Sequence, residues 1–342
     1  MRLGIIGLPG AGKTTIFEAL TGNSVDPGQR REAHIGTVPV PDHRVGVLSK
    51  MYRPRKTIYA QVEYFLPGGA SPEGGKSASP WQAVRDCDAL IQVTRNFESF
   101  DGQAPDPAGD FSELKQELIL LDQMVVEKRI ERLDLDRKRG KKPDEGEYRL
   151  LQACLSTLEA EIPLRQKPEL AQERLLRGYA FLSAKPILVL WNNPEEEDSP
   201  PSLTQALEDE NGLVVRGSLE QEIAQMTPEE AADFRGEYNI ADSALERVIR
   251  RSYELLGLVS FFTVGDDEVR AWTIARDTVA QEAAGVIHSD LEKGFIRAEA
   301  VAYEDLIAAG DYAAARKQGT VRLEGKTYPV QDGDILNIRF NV

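Results

Sequence analysis

Cysteine is nearly missing. The 342 residues hold two, Cys87 and Cys154. Two cannot make a disulfide framework, and their separation matches no metal-ligand spacing, so a reducing compartment is expected. Long apolar runs are missing too. None approaches the ~20 residues that a membrane span needs, so a soluble cytoplasmic protein with no membrane partner is expected. The first strand and a glycine-rich turn take up the N-terminus, so no cleavable signal is expected. Positive charge is short as well. Lys and Arg number 41 against 56 Asp and Glu, a formal net charge of −15. The surface as a whole should repel nucleic acid, so any RNA contact needs a local basic patch. What remains, 41% hydrophobic and 28% charged residues, is ordinary for a globular chain. Its length allows two or three domains.

One stretch near the start carries chemistry. Leu3 to Ile6 is a short apolar run, Gly7 to Gly12 a glycine-rich turn, and Ile16, Phe17 and Leu20 continue a helical pattern. GLPGAGKT fits G-x-x-x-x-G-K-[ST], the P-loop, between a predicted strand and a predicted helix as that motif requires. Gly7, Leu8, Pro9, Gly10, Ala11, Gly12, Lys13, Thr14 and Thr15 are the predicted nucleotide-binding residues. The glycines let backbone N–H groups turn in around phosphate, and the helix N-terminus adds its positive end. Lys13 would reach the β and γ phosphates, and the Thr14 hydroxyl would bind Mg²⁺.

The rest of the chain supports a nucleotide-binding α/β fold. Gly22 to Arg31 reads as a loop at the place of a first switch. Ile35 to Val40 reads as a strand, Asp42 to Met51 as a helix, and Thr57 to Phe65 as one alternating core strand. Pro67 to Ser79 is a flexible loop at the place of a second switch, and Ala89 to Thr94 is a buried strand. Strands alternating with helices imply a doubly wound parallel sheet. From Phe111 to Ile162 the β signal fades. Leu114, Leu118, Leu121 and Val125, then Leu151, Cys154, Leu155, Leu158 and Ile162, predict the seam of a long antiparallel helical hairpin. Its turn carries Arg137, Lys138, Arg139, Lys141 and Lys142, either a solvated tip or a contact for RNA phosphates. Lys185 to Trp191 and Leu213 to Val215 return to strand character, so the hairpin is an insertion. From Leu258 onward, mixed strands around one or two helices, with Thr320–Leu323 and Thr327–Val330 expected to pair, suggest a β-grasp unit.

Longer runs then carry a resemblance. SFFTVGDDEVRAWTI (260–274), EAAGVIHSDLEKGFIRAE (282–299), QDGDILNIRFNV (331–342), GTVPVPDHR (36–44) and SAKPILVLWNN (183–193) resemble the Obg-like ATPases, the YchF family, over the whole chain. The resemblance implies a nucleotide-binding domain in two parts, 1–109 and 183–257. It also implies an inserted helical hairpin, 110–182, and a C-terminal TGS domain of β-grasp type, 258–342. It implies ATP bound with Mg²⁺, GTP more weakly, and a ribosome partner met through hairpin and TGS surfaces; the chain is expected to be monomeric.

Asn192-Asn193-Pro194-Glu195 matches the family's N-x-x-E, where related GTPases carry N-K-x-D. The lysine is gone and the acid is one methylene longer, so the guanine clamp is damaged. An asparagine amide such as that of Asn192 can pair with adenine N6 and N7, with Glu195 beside it. Gly217 to Leu219 stands where the family carries its last base-contacting loop but departs from its sequence. Two other departures bear on catalysis. The family's second switch begins D-x-x-G; a gap-free match places Leu66-Pro67-Gly68-Gly69 there. Gly69 keeps the glycine expected to meet the γ phosphate, and Leu66 replaces the aspartate. Glu63 could substitute only if the strand slipped by three residues, which would also turn its faces over. Arg30 stands where a threonine is expected. With Lys13 and Gly69 as the catalytic groups, the expectation is a slow nucleotide-driven switch. The alternatives are a non-catalytic nucleotide-binding scaffold and, poorly fitting, a small-molecule kinase.

Overall fold

The computed structural model describes residues 1–69, 80–142, 144–202, 212–237 and 243–341. They form two compact units, Met1–Gly36 with Glu63–Leu245, and Thr37–Val62 with Glu246–Val342.

The first unit is built on a sheet of six strands: β1 (Arg2–Ile6), β2 (His34–Pro39), β4 (Gln61–Leu66), β5 (Ala89–Arg95), β6 (Ile187–Asn192) and β7 (Gly212–Val215). Their order is β2-β4-β1-β5-β6-β7, and the pairings of β1 with β4 and β5, β5 with β6 and β6 with β7 are all parallel. β5 and β6 are buried along almost their whole length, as strands covered on both faces must be. Helix α1 (Lys13–Thr21) packs on β1 and the long α4 (Pro107–Lys138) on β5; the unit's other helices are the short α3 (Pro80–Ala83), α5 (Glu145–Glu159), α6 (Pro168–Ala171), α7 (Gly217–Gln225) and α8 (Pro228–Glu237). At α8 the Thr227 hydroxyl accepts from Glu230 N while the Glu230 carboxylate accepts from Thr227 N, a reciprocal cap.

The helical hairpin is present, and the stripe read on α5, with Val125 of α4, does form its seam, but the rest of the α4 stripe does not. Leu114 and Leu118 of α4 pack instead on the sheet, with Phe111, Leu90, Val189 and Trp191. The seam toward α5 is made by Ile119, Val126 and Leu133, seven residues apart, against Leu151, Cys154 and Leu158. So α4 carries two apolar stripes, one per neighbour, and a single periodicity cannot say which neighbour each serves. Asp122 lies between them, fully buried. Burial raises its pKa, and the N–H groups of Ser183 and Leu182, with Arg85, counter that shift. Those donors lie at 2.6, 3.0 and 3.3 Å. Leaving such a buried charge unpaired costs about 3–5 kcal/mol, so this contact fixes where the hairpin leaves the sheet.

The second unit is a sheet of order β11-β10-β12-β8-β9-β3. Its strands are β3 (Lys56–Ile58), β8 (Leu258–Val264), β9 (Glu268–Ala275), β10 (Phe295–Val301), β11 (Arg322–Glu324) and β12 (Ile335–Phe340). Helix α10 (Ala280–Ile287) packs on one face through Ala280, Ala283 and Ala284. β8 and β9 form the expected hairpin, and β12 pairs parallel to β8 and antiparallel to β10. This is the β-grasp arrangement. Helices α2 (His43–Tyr52), α9 (Ala244–Leu255), α11 (Ser289–Lys293), α12 (Tyr303–Ala309) and α13 (Tyr312–Gln318) complete the described helices.

Two expectations fail here. Arg322–Glu324 pairs with β10, and Pro329 bridges Val279 instead, so the two short runs across Gly325 do not pair with each other. Thr57–Phe65 is not one strand. Lys56–Ile58 joins the second sheet beside β9, and Gln61–Leu66 joins the first beside β1. Residues 37–62 therefore belong with the C-terminal unit rather than with residues 1–36. Asp42 caps α2 by accepting from Arg44 N at 2.9 Å, and the Arg44 guanidinium donates to Asp332 at 2.7 Å and lies over Phe262.

Candidate functional site

β1 ends at Ile6 and α1 begins at Lys13, so the P-loop residues span the step from strand to helix. Two glycines there have no substitute. Gly7 has φ 156°, and a Cβ on it would lie 2.4 Å from Val93 O. Gly12, at φ 89°, is the left-handed residue that starts α1, and its Cβ would lie 2.3 Å from Asn192 Nδ2. Lys13 Nζ donates to Gly7 O at 2.9 Å and Leu8 O at 2.8 Å. The ammonium is thus held over the loop, and burial lowers its pKa. Thr14 and Thr15 sit part-buried in the first turn. The side chains and dipole that a polyphosphate needs are together.

Asn192, at the end of β6, ties this loop to the far side of the sheet. It is 4% exposed. Its Nδ2 donates to Ala11 O at 3.0 Å, and its Oδ1 accepts from Gly217 N, the first turn of α7, at 3.0 Å. The amide expected to read a base therefore also serves the backbone on both sides. One amide hydrogen and one lone pair are left for a ligand. Asn193, where the guanine-reading motif has lysine, is buried: its Oδ1 accepts from Asn96 Nδ2 at 2.9 Å and its Nδ2 donates to Glu197 O and Ser199 O. Glu195 is exposed, and its carbonyl accepts from Arg216. Asn96 and Arg216 were not singled out in the sequence; no local pattern joins them to partners 97 and 21 positions away.

The switch positions are partly described. Residues 70–79 of the second-switch loop lie outside the described residues. Leu66 is the last residue of β4 and is 6% exposed. The β1–β4 register sets Arg2 against Glu63 and Gly4 against Phe65. Glu63, in β4, stands opposite the start of β1 and is bonded to Arg2, at the far end of the strand from the P-loop, so the slip that would let it replace the aspartate is not made. Gly69 N donates to Arg30 O at 3.4 Å, and a Cβ on Gly68 would lie 2.2 Å from Arg31 O. The two switch segments thus touch through backbone, while the Arg30 side chain is exposed. His34 sits on Gln29 O and beside Phe17, and His43 packs edge-on to Tyr303.

Among the described residues no group of three or more His, Cys, Asp or Glu could hold a metal. Thr14 offers one hydroxyl, and Leu66 offers hydrocarbon where a carboxylate was expected. Such a set fits Mg²⁺ carried by phosphate oxygens and water, the usual manner for this ion, rather than a protein cage. No described helix is long and apolar enough to cross a membrane.

At the hairpin tip, Arg137 donates to Glu145 at 2.9 Å and lies over Tyr148, and Lys141 donates to Asp136 at 2.9 Å. Lys138, Arg139 and Lys142 are exposed and have no ion-pair partner among the described residues.

The family model YchF-GTPase_C, described as a protein of unknown function, matches residues 258–341. The ribosome-binding ATPase YchF of Bacillus subtilis (strain 168) is 39% identical over 365 residues, covering 100% of both chains. That of Escherichia coli O157:H7 is 36% identical over 361 residues, covering 100% of this chain and 99% of its own. The structure of the Schizosaccharomyces pombe YchF GTPase aligns with TM-score 0.82 at 28% identity, covering 99% of this chain and 97% of that one.

Proposed function

The chain belongs to the YchF family, and from that premise we propose that it is a ribosome-associated switch that binds ATP with Mg²⁺ in the Gly7–Thr15 loop and hydrolyses it slowly. The observation that carries this is the loop itself, with its left-handed Gly12, Lys13 held over it and Asn192 bracing it from behind. Lys13 and the loop N–H groups take the phosphate charge, and the Thr14 hydroxyl holds the cation. Mg²⁺, when bound, neutralises charge on the phosphates. Gly69 N–H, which donates to Arg30 O here, would exchange that carbonyl for the γ phosphate, so that the two loop segments respond together. The relatives' names supply the partner, since both are called ribosome-binding ATPases.

Base choice rests on the spare hydrogen and lone pair of Asn192, with Glu195 beside it. Asn193 is tied elsewhere and cannot stack on a base as a lysine stem does. ATP is expected to bind more tightly than GTP in titration calorimetry; equal or reversed affinities mean that these residues do not set the preference.

Hydrolysis suffers from Leu66, because phosphoryl transfer depends on positioning and charge neutralisation at the γ phosphate. Leu66→Asp is expected to raise the single-turnover rate about tenfold or more, about 1.4 kcal/mol off the barrier. Leu66→Ala, which loses only packing, should not raise it. A brisk wild-type rate, or no gain from the aspartate, removes Leu66 from the mechanism.

The three unpaired cations of the tip are proposed to meet ribosomal RNA. Reversing Lys138, Arg139 and Lys142 to glutamate is expected to weaken ribosome co-sedimentation and flatten its salt dependence. An unchanged salt slope leaves the tip a solvated turn.

A further inference from the structure

The hairpin has opposite chemistry at its two ends. Where α4 and α5 leave the sheet, a groove of about 680 Å³ runs between them. Ile119 and Leu158, buried in the seam, form its floor, and Leu120 of its wall is 57% exposed. Glu113, Glu117, Glu159 and Glu161 line it, and no lysine or arginine does. One turn beyond Leu120, Met124 is 58% exposed. The groove is apolar below, acidic at the rim, and extends onto a helix face with two large uncovered side chains.

We propose that this groove seats a lysine- and arginine-rich segment of a protein at the ribosome surface. Its basic character follows from the groove; its place on the ribosome rests on the function proposed above. Charge complementarity selects the occupant. Lysine and arginine carry apolar stems that can lie on Leu120 while their charged ends reach the rim carboxylates. An acidic rim repels phosphate, so nucleic acid is excluded here, whereas the basic tip at the other end of α4 attracts it. The stretch from Glu113 to Gln123 is about 15 Å long at 1.5 Å per residue, enough for about four or five extended residues. Glu117 has a second duty: its Oε1 accepts from Trp81 Nε1 at 2.7 Å. Trp81 lies in α3, directly after the second-switch loop. A cation drawn to Glu117 therefore meets a carboxylate that already holds the Trp81 indole through one oxygen and, among the described residues, has the other free.

The test is fluorescence anisotropy with a short labelled peptide of alternating lysine and arginine, at about 150 mM salt where long-range attraction is screened. A chain of net charge −15 attracts any polycation, so the control must match charge. Glu113→Gln with Glu159→Gln and Glu161→Gln is expected to weaken binding about tenfold, the sum of three modest ion pairs. Glu229→Gln with Glu282→Gln and Glu304→Gln, the same change of charge at exposed sites elsewhere, should leave it unchanged. Leu120→Ser should weaken it about threefold without any change of charge. If both triple variants bind alike, or Leu120→Ser has no effect, the groove is not the site. Ribosomes should displace the peptide from the wild type. If they co-sediment with the protein but leave the peptide bound, the groove stands and its ribosomal partner is overturned. If they do not co-sediment at all, the function proposed above fails with it, while groove binding is still read from the peptide.

Discussion

Lys13→Ala is expected to lower ATP affinity about a hundredfold or more in titration calorimetry. The ammonium is the one cation within the P-loop. A charge-assisted hydrogen bond contributes about 1.5–3 kcal/mol, and two phosphates share this one, so a loss of about 2.7 kcal/mol or more is the reasonable scale. The same substitution removes the donor that Gly7 O and Leu8 O now share. Both carbonyls are in a part-exposed loop where water can replace it, so the fold should survive, and circular dichroism checks that it does. An unchanged ATP affinity in a folded Lys13→Ala protein would falsify the assignment of the site.

Asn192→Ala should be more damaging to the fold and comparably damaging to binding. It leaves Ala11 O and Gly217 N without partners in a position that is 4% exposed. Each unsatisfied buried group costs about 1–3 kcal/mol. A total of about 2–4 kcal/mol would lower the melting temperature of the first unit by on the order of 5–10 °C. ATP and GTP should both bind more weakly, because the loop loses its brace whichever base is present. Asn192→Asp separates the two contacts. It keeps the acceptor for Gly217 N but turns an anion toward Ala11 O, so α7 should hold while the loop loosens. If Asn192→Ala melts like the wild type, the brace is not structural.

These contacts explain what could be read in the chain and what could not. The P-loop was legible because phosphate binding demands a local pattern, with glycine at fixed steps and then Lys13 and Thr14. The β-grasp strands were legible because their alternation survives in any sheet. That same indifference misled at Thr57–Phe65: β3 and β4 alternate alike, and nothing within nine residues says that the chain changes sheets after Ile58. The stripe on α4 failed for a related reason. Leu114 and Leu118 meet the sheet, whereas Ile119 and Val126 meet α5, and both sets satisfy helical spacing. Asn192 was found by its motif, but only the fold reveals Gly217 and Ala11 on either side of its amide. At the tip, five basic residues looked equivalent until Glu145 and Asp136 were seen to occupy two of them.

The excursion of residues 37–62 has a consequence in time. β3 is made early, yet its pairing partner β9 lies about two hundred residues further along the chain. At a synthesis rate of about 5–20 residues per second, β3 and α2 must wait on the order of ten to forty seconds after they are made. Until then the apolar face of α2, with Val45 and Leu48 buried in the finished fold, lacks the completed β8–β9 hairpin that it lies on. A chain stopped at residue 257 would never end that wait. It would carry α2 and β3 without the β8 and β9 strands they pack on, prone to aggregate rather than to behave as a clean nucleotide-binding fragment.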